Sequence, residues 1–425
     1  MNMQKKCFDA AEILLPDLKR INGTHWAVVA CDQYTSEPHY WERAAALVGD
    51  APSMLGAILP EVYLNEAEER IPKIHATMEL LIKEHLIAHP DAMICLCRTQ
   101  SDGLVRHGLI GAVDLEQYDY NKGSSSLIRA TEGTVLERIP PRVAVRRNAP
   151  LESPHVMLLI DDPQKSVIEP TLAACKDREL LYDFDLMLGG GHVCAYALTL
   201  EEQAAVKSSL DALITPDAIE ARYGDRALSP LLFAVGDGNH SLATAKAAYE
   251  EIKALIGAEA AADHPARYAL CEVVNLHDDA LQFEPIYRVV FHADTSAMLA
   301  ELKEYLTSRQ GNAAKQSLTV VTKDGDEIWE IAHPEAQLTV GTLQAFLSDY
   351  TARHPEIEVD YIHGEDSLRS LVRDGSTVGF LFDGMRKDEL FRTVIYDGAL
   401  PRKTFSMGHA PDKRYYLECR KIRKA

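Results

Sequence analysis

The sequence predicts a mixed α/β (α+β) fold. Three features point there: apolar runs of strand length at 156–160 and 231–235, apolar positions at helical spacing between such runs, and glycine-rich turns where one pattern gives way to the other. A chain of 425 residues exceeds the roughly 150 residues of one ordinary domain, so two parts are expected.

From the start of the chain, 26–30 reads as a strand and 31–36 as a polar turn. A helix follows near Glu37, with Ser36 as its cap and Pro38 in a first turn where the missing N–H has no helical partner. Residues 66–87 carry Ile71, Ile74, Met78, Leu81 and Ile82 at helical spacing and predict a long amphipathic helix. Strands are predicted at 93–97, 104–113, 156–160 and 192–198, separated by turn signals such as Ser101-Asp-Gly103 and Gly189-Gly-Gly191. Thr199 and Glu202 have the spacing of a capping box for a helix over 199–221. Then come a buried-strand pattern at 231–235, a tight turn at 236–240 and an alanine-rich helix at 241–256 closed by Gly257. A change of composition after Phe291 places an N-terminal α/β domain carrying the site at 1–291 and a C-terminal α/β domain at 292–425.

Composition narrows the function classes. With 44 Lys+Arg against 64 Asp+Glu the net charge is −20, which repels a phosphate backbone, so nucleic acid is not expected as a partner. No apolar stretch approaches the roughly 18 residues needed to cross a bilayer, and Asp9 and Glu12 interrupt the start as a signal peptide would not allow. A cytoplasmic protein without a membrane partner is expected, acting on a small molecule, with assembly into copies of itself left open. Eight cysteines without a Cys-x-x-Cys pair read as reduced thiols, and the scattered histidines have no zinc spacing, so no protein-bound metal is predicted. Cys31 reads as a packing residue rather than a nucleophile, and Cys95 and Cys97 share one strand face.

Chemistry is most legible in Gly236-Asp-Gly-Asn-His240. A strand leading through this turn into a helix presents free backbone N–H groups and the positive end of the helix dipole, a geometry that holds anions. Gly238 allows close backbone approach, while Asp237 and His240 supply a carboxylate and an imidazole for acid–base work. The same spacing also suits a plain capped helix. A second candidate is the stretch from Arg129 to Arg142, whose arginines have the shape to clamp phosphate or carboxylate, or else pair with local glutamates on a solvated surface. Asp32 ends a predicted strand, where it serves as a carboxylate or as part of a loop leading into a helix.

These segments resemble the prokaryotic family known as domain of unknown function 1015. The resemblance rests on Ile128-Arg-Ala-Thr-Glu-Gly-Thr134 with Arg142, Asp237-Gly-Asn-His-Ser241, Asn275-Leu-His-Asp278, Tyr287-Arg-Val-Val290 and Pro401-Arg-Lys-Thr-Phe405. Ala130 and Thr131 stand where the family has Arg and His, Asn239 where it has His, and Ser241 where it has an Arg. The Asp237–Ser241 stretch is similar to a signature of the ParB/sulfiredoxin superfamily, which includes free-serine kinases. The resemblance implies a ParB/sulfiredoxin-like strand-turn-helix site and transfer of phosphate from a nucleotide, ADP or ATP with Mg2+, to a hydroxyl of serine or a similar metabolite. It implies catalytic roles for Asp32, Glu37, Asp237 and His240, and phosphate or substrate contacts from Arg129, Glu132, Thr134, Arg142, Gly238, Asn239, Ser241 and Lys403. The alternative it leaves open is a nucleotide-binding regulatory protein that hydrolyses slowly or not at all.

Overall fold

A computed structural model describes residues 7–133 and 139–424, with Pro141 described by its backbone alone. Thr134, one of the expected contact residues, lies outside them. The mixed α/β class holds. One sheet runs in the order Tyr182–Asp185, His192–Ala197, Ile94–Thr99, Val105–Asp114, Tyr268–Asn275, Met157–Ile160, Phe233–Asp237, Ile128–Ala130 and Tyr118–Asp119. Its antiparallel half changes to mixed pairing near the site: Phe233–Asp237 lies parallel to Ile128–Ala130 and antiparallel to Met157–Ile160. A second sheet orders Gly325–Ile331, Gln316–Thr322, Val378–Leu381, Phe283–Phe291 and Glu358–His363.

The elements follow local chemistry. The amphipathic pattern gives the helix Ala67–Glu84, which buries Ile74, Met78 and Leu81. The Thr199–Glu202 box forms and caps Leu200–Leu213, but the expected single helix to 221 breaks there, because Thr215 caps a new helix with Pro216 in its first turn. The helix after the early polar turn is Pro38–Val48; its flanking residue is Glu37, without a side-chain capping bond, so Ser36 does not take that role. The expected strand at 26–30 is not regular either: Gly23–Trp26 forms one helical turn and the chain then extends, with Val29 bridging Arg414. Gly189-Gly-Gly191 does join the antiparallel strands Tyr182–Asp185 and His192–Ala197.

Burial sorts these elements into distinct cores. The first unites Trp26–Ala30, the Ala67–Glu84 helix and one face of the first sheet. The second fills the space under the second sheet and joins it to Leu159 and Ala234. The residues after Gly408, which the sequence assigned to the C-terminal domain, return to the first core: Tyr415, Tyr416, Leu417 and Cys419 all pack there. Hydrogen bonds from Ala30 N–H to Lys413 O (2.8 Å) and from Tyr415 N–H to Val28 O (2.9 Å) fix that return. It carries Lys413 to the end of the Phe233–Asp237 strand.

Candidate functional site

The strand Phe233–Asp237 ends at Gly238, which takes φ +79° and starts the 18-residue helix Asn239–Ile256. A Cβ on Gly238 would sit 3.1 Å from Val156 Cα, so a bare Cα suits both the left-handed turn and the close packing. The helix begins at Asn239 rather than Ser241, placing Asn239, His240 and Ser241 in its first turn. Asn239 Nδ2 donates to Thr131 Oγ1 (3.3 Å), and Thr131 Oγ1 donates to Val235 O (2.7 Å). Asn239 Oδ1 is buried and accepts no hydrogen bond among the described residues.

Three carboxylates meet one ammonium at this turn. Lys413 Nζ lies 3.2 Å from Asp237 Oδ1, both largely shielded from water. Asp237 above all, with Asp32 and Glu132 adding to it, holds the Lys413 ammonium above its ordinary range. Burial would raise the Asp32 carboxyl, but His155, a 3.0 Å hydrogen bond from Gln33 and the charges of Lys413 and Arg142 outweigh it and hold the group low. Glu132 goes the other way: burial pushes it up to about 7, against a hydrogen bond from the Lys403 backbone and the charges of Lys413 and Arg288. The site thus holds one carboxylate kept ionised and another poised near neutrality, the pairing that acid–base chemistry uses.

His155 completes the rim. Its Nε2 is 3.0 Å from Ser241 Oγ, and its ring stands edge-on to Tyr415, 4.8 Å between centroids. Ser241, His155 and Arg142 also line a cavity of about 160 Å3 beside this turn. Arg142 pairs there with Glu61.

The structure therefore brings together Asp32, Glu132, Asp237, Gly238, Asn239, His240 and Ser241, with Arg142 facing the adjoining cavity. Arg129 is elsewhere: only 3% exposed, it donates to the carbonyls of Ser126 (2.8 Å), Ser229 and Pro230 (both 3.1 Å), and so ties a loop to the sheet. Glu37 is exposed at the start of its helix. The exposed Lys403 sets its ammonium over the Tyr361 ring, 4.9 Å from the centroid, and gives the site only its backbone. Arg288, fully buried, accounts for that backbone: it donates to Lys403 O (3.1 Å) and Arg402 O (3.0 Å), holding the segment against Glu132. Burial pushes the Cys31 thiol up to about 12, which disfavours the thiolate a nucleophile needs. Lys413, His155 and Glu61 were missed by the sequence reading.

No group of three or more His, Cys, Asp or Glu among the described residues is placed to hold a metal ion. Nor is any helix among them long and apolar enough to cross a membrane. What the arrangement offers is a helix start, a largely shielded ammonium and carboxylates of unequal acidity at the end of one strand of a mixed α/β sheet. The chain belongs to the family described as protein of unknown function (DUF1015), whose model matches residues 16–350. No curated protein matches it. Among solved structures it is similar, at 10% identity and a TM-score of 0.34, to a conserved hypothetical protein from Pyrococcus furiosus, over 73% of this chain and 94% of that one. It is similar also to free serine kinase in complex with AMP (10% identity, TM-score 0.35, 73% and 90% covered). A third is C-terminally truncated SbnI from Staphylococcus aureus (10% identity, TM-score 0.34, 70% and 82% covered).

Proposed function

We propose that the chain is a small-molecule phosphotransferase that moves a phosphoryl group from a nucleotide to a hydroxyl of serine or a similar metabolite. The observation that carries this reading is the placing of Lys413 among Asp237, Asp32 and Glu132 at the start of the Asn239–Ile256 helix. Phosphoryl transfer asks a protein mainly for positioning and charge stabilisation. The helix start and Lys413 would receive the donor's charged oxygens, and Asn239 would orient them. Glu132, near neutrality, is suited to take the proton from the acceptor hydroxyl as the new P–O bond forms and the bond to the donor's leaving oxygen breaks. Mg2+ fits this donor set: it is bound through one or two carboxylates together with substrate phosphates, and Asp32 and Asp237 are oxygen donors of that kind. When bound, Mg2+ supplies neutralising charge to the phosphates.

A second reading, a nucleotide-binding protein that turns over slowly or not at all, draws on Ser241. Where the family motif has a guanidinium, this chain has a hydroxyl engaged with His155. Phosphorus NMR of the protein with ATP or ADP, Mg2+ and serine separates the two: the first requires a new phosphate ester, the second a bound but unconsumed nucleotide.

A further inference from the structure

The cavity beside the site is not explained by phosphate chemistry. Its volume of about 160 Å3 is bounded largely by apolar side chains, among them Met54, Leu59, Leu64, Met78, Leu151 and Leu270. A cavity of about 150 Å3 with such walls takes a benzene-sized guest. Two ion pairs break the apolar lining, Arg142–Glu61 and Arg146–Glu152. Glu152 is already engaged by Arg146, Arg420 and the Leu270 N–H, whereas Arg142 and Glu61 pair with each other and keep 17% and 16% of their side chains exposed. Holding an ion pair out of water has a desolvation cost that apolar side chains of similar size avoid. The Arg142–Glu61 pair offers the cavity a planar donor fork beside an acceptor carboxylate.

The charge pattern selects the guest. A phosphate would meet Arg142 but be opposed by Glu61, and a purine would set polar ring nitrogens against the Met and Leu side chains that make up most of the wall. A molecule that carries a carboxylate and an ammonium on one carbon, with a branched or aromatic hydrocarbon group attached, meets every part: carboxylate to Arg142, ammonium to Glu61, hydrocarbon to the walls. We infer that this cavity is a binding site for an apolar α-amino acid of leucine or phenylalanine size. His155 and Ser241 belong to both the cavity wall and the rim of the charged turn, so the ligand would sit directly beside that turn. The inference goes beyond the phosphotransfer reading and does not need it.

The test is isothermal titration of the full chain, without nucleotide, using L-leucine and L-phenylalanine, with L-serine, L-leucinamide and AMP as comparisons. Leucine or phenylalanine should bind saturably, and serine and leucinamide at least tenfold more weakly. Ala57→Leu, which fills the cavity from its wall, should abolish the binding, with a thermal melt to confirm folding. The double variant Glu61→Gln with Arg142→Gln keeps the shape and should lower affinity ten- to a hundredfold, so the site stays testable if Ala57→Leu does not fold. No binding of either amino acid at 10 mM, or unchanged binding in a folded variant of either kind, overturns the inference. So does AMP binding that Ala57→Leu removes while the amino acids never bind. None of these titrations reads phosphate transfer, so the inference and the phosphotransfer reading fail separately.

Discussion

Lys413 Nζ and Asp237 Oδ1 stand 3.2 Å apart although 176 residues separate them in the chain. The contact exists because residues 413–415 pair with residues 28–30, which sets Lys413 against the strand end that carries Asp237 before the chain runs on to pair with Leu151–Glu152. Lys413 is thereby the cation that offsets three carboxylates at the start of the Asn239–Ile256 helix. Lys413→Met should lower nucleotide affinity by ten- to a hundredfold, about 1.5–3 kcal/mol for a lost charge-assisted contact. It should also destabilise the fold, since it leaves partly buried carboxylates without their counter-charge. Lys413→Arg should recover most of both losses; titration calorimetry and thermal melts read the two effects.

Glu132 sets a pH dependence. Its carboxyl is raised to about 7 and acts as a base only when ionised, so turnover should rise about tenfold per pH unit below about 7 and level off above it. Glu132→Gln should remove that slope along with most of the turnover. A pH–rate profile of both proteins checks this, and an unchanged slope in the variant would assign it to another group.

Glu418 should appear in stability rather than activity. Burial pushes it up to about 7 from an ordinary 4.5, even with a 2.6 Å hydrogen bond from Tyr182. Its folded value lies above its unfolded one, so the protonated form favours folding. That contribution is complete below about pH 4.5 and is lost as pH rises through about 7. Urea melts across this range should find Glu418→Gln less pH-dependent than the parent chain.

Arg129 and Gly238 separate structure from site. Arg129→Met leaves carbonyl groups of Ser126, Ser229 and Pro230 without their donor and should destabilise the fold by about 1–3 kcal/mol, with ligand affinity in the folded protein unchanged. Gly238→Ala forces a side chain into φ +79° against the Val156 backbone and should cost about 1–3 kcal/mol. Because it moves the helix start, it should weaken nucleotide binding as well.

Duplex DNA should not bind measurably at near-physiological salt, because a net charge of −20 opposes the counterion release that drives such binding. A mobility-shift assay with micromolar protein checks this.

What could be read from the sequence was what depends on neighbours in the chain. The Asp237–Ser241 turn was legible because its glycine, the strand before it and the helix after it are contiguous, and the Thr199–Glu202 box because a cap spans four residues. Asp32 was legible only as a carboxylate at the end of a predicted strand and Glu132 only as a position in the resembled motif; their company depends on packing. Lys413 had no local signal: residues 408–413 form no long regular element, and the hydrogen bond that places Lys413 comes from Ala30 at the far end of the chain. His155 likewise precedes a strand in an irregular segment and gains its meaning from Ser241 across 86 residues. Arg129 misled because a motif records which residues recur together, and a buried arginine that ties down carbonyls recurs as faithfully as one that binds phosphate.

The central claim is that the Lys413–Asp237 turn transfers phosphate, and the most direct measurement is phosphorus NMR of the full chain with ATP or ADP, Mg2+ and a set of hydroxylated metabolites led by L-serine. A phosphate-ester resonance should grow as the nucleotide is consumed, in the parent chain and not in a folded Asp237→Asn variant. Nucleotide that binds but stays intact with every acceptor, or an ester that forms equally fast in Asp237→Asn, would contradict the account.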